Sequence, residues 1–293
     1  MKNKWLVNWG IFILLSLIWG SSFILMKESS RELNGWQIGG IRIFSAGFVF
    51  LPFALFHIFK IPRRKLPFII ISGMLGNLLP AFLFALAIEK VDSALEGILN
   101  SLTPLFVIVI GTLFFKTRLH PKKIAGVLIS FIGLLILSFS KGGITITNYG
   151  SILMVLLATI FYGLNVNVVS HYLKEVDPMK MATISLAFMF PIAGAVLLYQ
   201  NVFSIAYYDE GARGAIAYAV LLGVVGSAIA TAFFYVLIKR AGGLFASLVT
   251  YAIPIVAILW GLLDNENITL IQLICLAIIL GGVYISNRET KQP

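Results

Sequence analysis

The residues of this chain best suited to bind a solute are polar side chains that interrupt long apolar stretches. Arg42 and Glu96 carry charges in such surroundings, and Asn77 and Asn100 carry amides. A polar group buried in an apolar environment is expensive unless it finds a polar partner or a wet cavity. These positions are therefore either binding groups or hydrogen-bonding contacts that hold helices together.

Both amides belong to a pattern that recurs after 150 residues. Asn77 corresponds to Ser227, and Asn100 corresponds to Thr250. The surrounding residues recur at the same interval as the pairs Gly73 and Gly223, Gly76 and Gly226, Phe84 and Phe234, Pro104 and Pro254, Ile108 and Ile258, Gly111 and Gly261, Leu113 and Leu263. The chain is therefore one unit written twice.

The composition places this repeat in a membrane. The mean hydropathy is +0.98, 59% of the residues are hydrophobic and only 12% are charged, whereas about a quarter are charged in soluble domains. Apolar runs long enough to span a bilayer as helices are predicted at 8–26, 36–57, 66–88, 93–115, 121–140, 148–170, 179–199, 214–238, 243–263 and 268–287. The prediction is an all-α integral membrane protein with ten transmembrane helices.

These helices divide into two repeats, at 8–140 and 148–287. Each repeat has five helices, and because five is odd, the second must enter the membrane in the opposite orientation to the first. Inverted repeats of this kind hold a solute site between them and rock around it in secondary transporters.

The basic residues behind the net charge of +10 are distributed unevenly between the two sides of the predicted membrane protein. Sixteen Lys and Arg residues fall in the two termini and alternate loops on one side, and five fall on the other. The positive-inside rule then predicts that both termini are cytoplasmic. Because topology explains the basic excess, the expected partner of the chain is membrane lipid and not nucleic acid. Cys275 is the single cysteine and the three histidines lie in different loops, so the sequence predicts no metal site and no cofactor.

A polar cavity near the middle of the membrane is expected from the positions of the remaining polar and aromatic groups. Ser21, Asn167, Thr250 and Tyr235 are secondary candidates. The predicted solute-binding residues are Trp19, Ser22, Arg42, Asn77, Asn100, Tyr162, Asn165, Ser227, Thr231 and Tyr251.

Prolines and helix ends have competing interpretations. Pro104 and Pro254 interrupt the backbone hydrogen bonds at matching points and are predicted hinges or fixed kinks. Ser93 with Glu96, and Thr269 with Gln272, fit capping boxes that open the fourth and tenth helices. Capping is the preferred interpretation of Glu96, and coupling to a transported proton is the alternative.

Arg42 is the one basic residue well inside a predicted span. Its side chain either extends to the external headgroups or anchors a carboxylate or phosphate in the cavity. The first helix holds no buried acid, which argues against exchange of cationic drugs for protons, and no cluster of cations suits phosphorylated sugars or nucleotides. A neutral or zwitterionic solute remains.

Several motifs resemble those of the EamA-type transporters in the drug/metabolite transporter superfamily. The motifs are Trp19-Gly20-Ser21-Ser22-Phe23, Ile41-Arg42-Ile43-Phe44, Leu102-Thr103-Pro104-Leu105-Phe106, Ala252-Ile253-Pro254-Ile255-Val256 and Asn265-Glu266-Asn267-Ile268-Thr269. The resemblance implies two five-helix units in a bacterial inner membrane, a cavity lined by the first four helices of each, and export of amino acids or other small metabolites. The Gly-Glu usual after the fourth helix is Lys116-Thr117 here, although Glu266 retains the acid in the second copy.

The resulting prediction is a secondary transporter and not an enzyme. It exports a small organic metabolite by alternating access, and an amino acid is the favoured substrate class. A channel or facilitator is the alternative, and a membrane scaffold or enzyme is disfavoured because no acid and base side chains converge within the helices. The sequence does not choose between a monomer and a homodimer.

Overall fold

The computed structural model describes residues 2–91, 93–140, 148–263 and 269–287, and every regular element in these ranges is helical. The first half contains α1 (Lys2–Ser29), α2 (Gly35–His57), α3 (Leu66–Gly73), α4 (Leu79–Ala87), α5 (Ser93–Asn100), α6 (Thr103–Phe115) and α7 (Pro121–Ser140). The second half contains α8 (Tyr149–Tyr172), α9 (Pro178–Tyr199), α10 (Val202–Tyr208), α11 (Glu210–Gly223), α12 (Ala230–Ala241), α13 (Gly243–Ser247), α14 (Val249–Leu263) and α15 (Leu270–Asn287).

Within the described ranges, seven helical segments are long and apolar enough to cross a membrane. Gly243–Val256 and Leu270–Ser286 are also apolar but shorter. The prediction of an all-α, multi-pass membrane protein is therefore confirmed for the described chain. The total of ten spans and the opposite orientation of the two halves stay predictions.

Several predicted spans are not continuous α-helices. The fourth is divided into α5 and α6 by a turn at Ser101 and Leu102, and the ninth is divided into α13 and α14. The third and eighth each contain a π-helical segment, Met74–Leu78 between α3 and α4 and Val224–Ile229 between α11 and α12. The two π segments begin one repeat interval apart. Such wide turns often lie at functional sites in membrane and soluble helices.

Close helix contacts recur between residues related by the repeat. A Cβ atom built on Gly20 of α1 would lie 2.5 Å from Val256 Cβ of α14, and one on Gly163 of α8 would lie 2.8 Å from Phe106 Cβ of α6. Phe106 and Val256 are 150 residues apart. Glycine at these two positions lets the backbones approach closely, so each half of the chain packs its first helix against the fourth span of the other half.

The helices α7 and α15 pack chiefly against each other. A Cβ on Gly126 would lie 2.6 Å from the Gly282 carbonyl oxygen, and Ser130 Oγ donates a 2.9 Å hydrogen bond to the Ile279 carbonyl. Small residues along this seam permit the close approach. The pair stands apart from the central cavity described below, as the family resemblance implied for the fifth helix of each repeat.

The capping box predicted at the start of the last helix is confirmed. Thr269 N donates to Gln272 Oε1 at 2.9 Å, and Gln272 N donates to Thr269 Oγ1 at 3.3 Å. A second box, not predicted, opens α2 through Asn34 and Gln37. Glu266 and the rest of 264–268 lie outside the described residues.

Candidate functional site

A cavity lies between the two halves of the chain, with polar and aromatic side chains in its wall. About 70 Å³ of it is open to the centres of water molecules. At roughly 10–15 Å³ for one water on this measure, the space holds about five to seven waters. Eight of the predicted solute-binding residues line this cavity: Trp19, Ser22, Arg42, Asn77, Asn100, Tyr162, Asn165 and Thr231.

Two predicted residues are placed differently. Ser227 is buried next to the cavity and contacts it through Arg42. Tyr251 is fully buried, and its hydroxyl donates a 3.2 Å hydrogen bond to the Val127 carbonyl of α7. The structure therefore brings Ser227 to the site as the partner of a binding group, and directs Tyr251 away from the cavity.

Arg42 lines the cavity, the position expected if it anchors a solute rather than extending to the headgroups. Its Nε donates a 2.8 Å hydrogen bond to Ser227 Oγ of the eighth span. The glycine at 223 permits this contact, because a Cβ there would overlap the Arg42 carbonyl oxygen. Within the described residues the terminal Nη atoms of Arg42 make no hydrogen bond or ion pair, although Tyr162 and Glu96 are near enough to interact with the guanidinium electrostatically. The two-pronged end of the guanidinium is therefore available to a ligand.

Amide and hydroxyl groups from both halves also meet at the cavity wall. Thr231 Oγ1 donates a 2.7 Å hydrogen bond to Asn77 Oδ1, which joins the π segment of the third span to α12. The Asn77 Nδ2 atom is buried without a hydrogen-bond partner in the described chain. It is a donor that a solute can satisfy.

A second cluster of polar side chains joins three helices at the cavity wall. Ser72 Oγ donates to Asn165 Oδ1 at 2.6 Å and lies 2.8 Å from the hydroxyl of Tyr235. All three residues are buried. The cluster joins α3, α8 and α12 by side-chain hydrogen bonds, and of its three residues only Asn165 is among the predicted solute-binding residues.

Aromatic rings form the rest of the wall. Trp19 Nε1 donates a 3.0 Å hydrogen bond to the carbonyl of Gly226, inside the second π segment, and its ring packs against Phe234 at a centroid distance of 5.1 Å. The ring centroids of Phe84 and Tyr162 are 6.0 Å apart. Because Phe84 and Phe234 are repeat partners and both line the cavity, the aromatic wall is contributed by equivalent positions of both halves.

Side-chain hydrogen bonds stabilise the break between α5 and α6 beside the cavity. Thr103 Oγ1 donates a 2.6 Å hydrogen bond to the Asn100 carbonyl, and Ser101 Oγ donates a 3.0 Å hydrogen bond to the Thr250 carbonyl of α14. Pro104 lies in the first turn of α6, where its missing N–H leaves no bond unmade. Pro254 lies inside α14. The matched hinge prediction therefore needs correction, because Pro104 starts a helix and only Pro254 interrupts one.

Glu96 is buried in α5, and neither carboxylate oxygen has a hydrogen-bond partner in the described chain. The capping-box prediction is therefore wrong for this residue, because a capping carboxylate would accept a backbone N–H bond. The Glu96 carboxyl is near enough to Arg42 and Tyr162 to interact with them electrostatically. Glu96 also lies one helical turn before Asn100, which places both on one face of α5.

Sequence reasoning missed several lining residues. Phe84 and Phe234 were visible as a repeated pair but were not chosen, and Thr103 and Ser247 were overlooked. A search for repeat partners among aromatic residues could have found the first two. Within the described residues, no group of three or more His, Cys, Asp or Glu side chains could hold a metal ion.

The fold and the cavity define a multi-pass membrane protein with a polar and aromatic solute site between two similar halves. A family model described as the EamA-like transporter family matches residues 8–139 and again 150–288. This chain belongs to the EamA-like transporter family, and membership indicates a membrane transporter rather than an enzyme.

Relatives of the whole chain agree with this assignment. An uncharacterized transporter of Archaeoglobus fulgidus is 23% identical over 96% of this chain and 99% of its own length. The uncharacterized inner membrane transporter YedA of Escherichia coli K12 is 26% identical over 94% of this chain and 89% of its own. A solved crystal structure that is 19% identical covers 94% of both chains with a TM-score of 0.69, which shows a shared fold.

Proposed function

We propose that this chain is a secondary transporter that exports a small zwitterionic or neutral metabolite, best an amino acid, by alternating access. The observation that carries the proposal is the Arg42 guanidinium, which is held from behind by Ser227 and presents its free Nη atoms to the central cavity. A planar guanidinium with two free donors suits a carboxylate.

The remaining groups of the wall limit the class of solute. Asn77, Asn100 and Thr231 are neutral, and Arg42 is the one cation among the residues that line the cavity. A single cation matches one carboxylate, whereas a phosphorylated sugar or nucleotide requires several. The aromatic rings of Trp19 and Phe234 offer apolar contact area to the rest of a small organic molecule.

Glu96 is the proposed proton-coupling residue. Its carboxyl group is buried without a hydrogen-bond partner and interacts electrostatically with Arg42. An intramembrane carboxylate in this situation is a functional group by default, because neither packing nor capping explains it. Protonation of Glu96 would alter the field at Arg42 and therefore the affinity for a bound carboxylate.

Alternating access would arise from the two halves, which we take to be inverted repeats of five spans each, at 8–140 and 148–287. The matched glycine contacts and the paired π segments support equivalent packing in both halves. We place the protein in a bacterial inner membrane with both termini cytoplasmic, supported by the distribution of Lys and Arg and by the relative YedA.

The test is transport by the purified protein in liposomes of known orientation. Liposomes that contain the protein and a labelled amino acid mixture should lose specific components faster than liposomes without protein. In a separate assay, an imposed proton gradient should drive accumulation of the same components. Saturable flux with counterflow distinguishes a carrier from the channel or facilitator alternative. Linear, unsaturable flux without counterflow would contradict the proposal.

A further inference from the structure

A second cavity meets the central cavity at a single side chain. It lies between α8, α9 and α12, about 380 Å³ of it is open to the centres of water molecules, and its wall includes Lys174 and Lys239. Both lysines are exposed, so this cavity reaches the protein surface. Tyr235 belongs to the walls of both cavities and is only 1% exposed. The phenol ring therefore separates the solute site from a basic vestibule.

Hydrogen bonds from other helices hold this ring in place. The Tyr235 hydroxyl lies 2.8 Å from Ser72 Oγ, which in turn donates to Asn165 Oδ1 at 2.6 Å. One turn earlier on α12, Thr231 donates to Asn77 at 2.7 Å. Since Ser72 belongs to the first half of the chain and the other two groups to the second, the Ser72–Asn165–Tyr235 cluster joins the two halves.

The repeat contains no equivalent cluster. Ser72 and Tyr235 have apolar repeat partners, and Asn165 has a serine whose hydroxyl donates within its own helix, to the Ile18 carbonyl at 2.8 Å. The correspondence is supported by the contacts of two glycines, because Gly76 meets Asn165 and Gly226 meets Ser22. In sequence, the pairs are Ser72 with Leu222, Tyr235 with Ala85, and Asn165 with Ser22.

We propose that the Ser72–Asn165–Tyr235 cluster is a lock that closes the solute site toward the basic vestibule. It makes this closed state more populated than the state closed at the other end. The inference rests on the proposed function, since it assigns one gate of a two-gated transporter. If both halves closed with equal contacts, the two states would be equally populated. Hydrogen bonds present in one closure only shift that ratio by about fivefold per bond.

The proposal gives Tyr235 two roles in one side chain. Its ring blocks the passage between the cavities, and its hydroxyl sets how often the passage opens. Removal of the hydroxyl alone keeps the ring and should open the vestibule side more often. Removal of the Ser72 hydroxyl breaks both bonds of the cluster and should do so more strongly.

The experiment measures how fast a cavity residue is labelled from each side of the membrane. In a Cys275→Ala background, Thr250→Cys places a reporter thiol on the central cavity wall. Inside-out and right-side-out vesicles are treated with a membrane-impermeant maleimide. A separate Lys239→Cys protein shows which vesicle orientation exposes the vestibule.

From the vestibule side, Tyr235→Phe should raise the labelling rate about fivefold, and Ser72→Ala should raise it up to about 25-fold. Labelling from the opposite side should stay the same or fall. The matched control is Tyr251→Phe, which removes another buried tyrosine hydroxyl that bonds to Val127 away from the cavity. It should leave both rates unchanged.

Unchanged labelling in Tyr235→Phe and Ser72→Ala would overturn the lock, and so would an equal rise from both sides or an equal rise in Tyr251→Phe. Ser72→Ala serves if Tyr235→Phe fails to fold, as judged by monodispersity in detergent. Flux of the unaltered protein is measured separately. Shifted labelling without any flux would therefore reject the proposed transport and retain the lock, whereas flux with unshifted labelling would do the reverse.

Discussion

Replacement of Arg42 by lysine should weaken solute binding far more than the small difference in side-chain volume would suggest. Lysine keeps the positive charge but has no Nε–H for Ser227 and no planar pair of donors for a carboxylate. The structure gives a 2.8 Å bond between Arg42 Nε and Ser227 Oγ, which orients the guanidinium toward the cavity. A hydrogen bond to a charged group contributes about 1.5–3 kcal/mol. Loss of one such bond corresponds to roughly 10- to 150-fold in Kd.

The assay is equilibrium binding of the transported solute to purified protein, followed by counterflow in liposomes. Ser227→Ala should weaken binding by a smaller factor of about fivefold, because it removes the orienting partner and keeps the guanidinium. Combined with Arg42→Lys, it should add little further loss, since the bond it removes is already absent. Arg213→Lys changes an exposed arginine on α11 in the same way and is the control, which should leave solute binding unchanged.

A well-folded Arg42→Lys protein with unaltered Kd would refute this reasoning and remove Arg42 from the binding site. Additive losses in the double variant would refute the narrower claim that Ser227 acts through Arg42. Thermal stability in detergent is measured for each variant, because a destabilised protein would imitate weak binding.

Three further predictions follow from the cavity, the packing and the topology. Glu96→Gln should abolish accumulation driven by a proton gradient and preserve solute counterflow; retained proton-driven accumulation would exclude Glu96 from coupling. Gly223→Ala should lower the stability by about 1–3 kcal/mol, measured as a reduced melting temperature, because the added methyl group overlaps the Arg42 carbonyl. Gly214→Ala on the same helix meets open space, so it should be neutral or slightly stabilising, and an equal loss there would contradict the steric explanation. A reporter enzyme that works only in the cytoplasm should be active when fused after Pro293, and one that works only in the periplasm should be inactive there. The opposite result would reverse the predicted topology.

Polar residues in the membrane spans were the part of the site most open to prediction. Asn77, Asn165 and Thr231 interrupt apolar runs, and the energetic penalty of exposing them to lipid requires that they face a cavity or a neighbour. The structure places all three on the cavity wall. The repeat also indicated which positions in the two halves should be compared.

Groups with two possible partners were harder to predict. The spacing of Ser93 and Glu96 is the same for a capping box and for a carboxyl group that faces the cavity, and only the packing of α5 distinguishes them. Pro104 is similar, because the turn at Ser101 makes it the start of a helix. Local sequence permits both outcomes, so the tertiary contacts select one.

The sequence by itself determined that this protein is helical, lies in a membrane and is built from two related halves, because hydropathy and the 150-residue repeat are properties of the chain alone. Only the tertiary structure decided that Arg42 donates a hydrogen bond to Ser227 and that the hydroxyls of Tyr235 and Ser72 lie within hydrogen-bond distance. These partners are separated by more than 160 residues. Their contacts depend on how closely glycine-containing helices approach, and no local pattern encodes that distance.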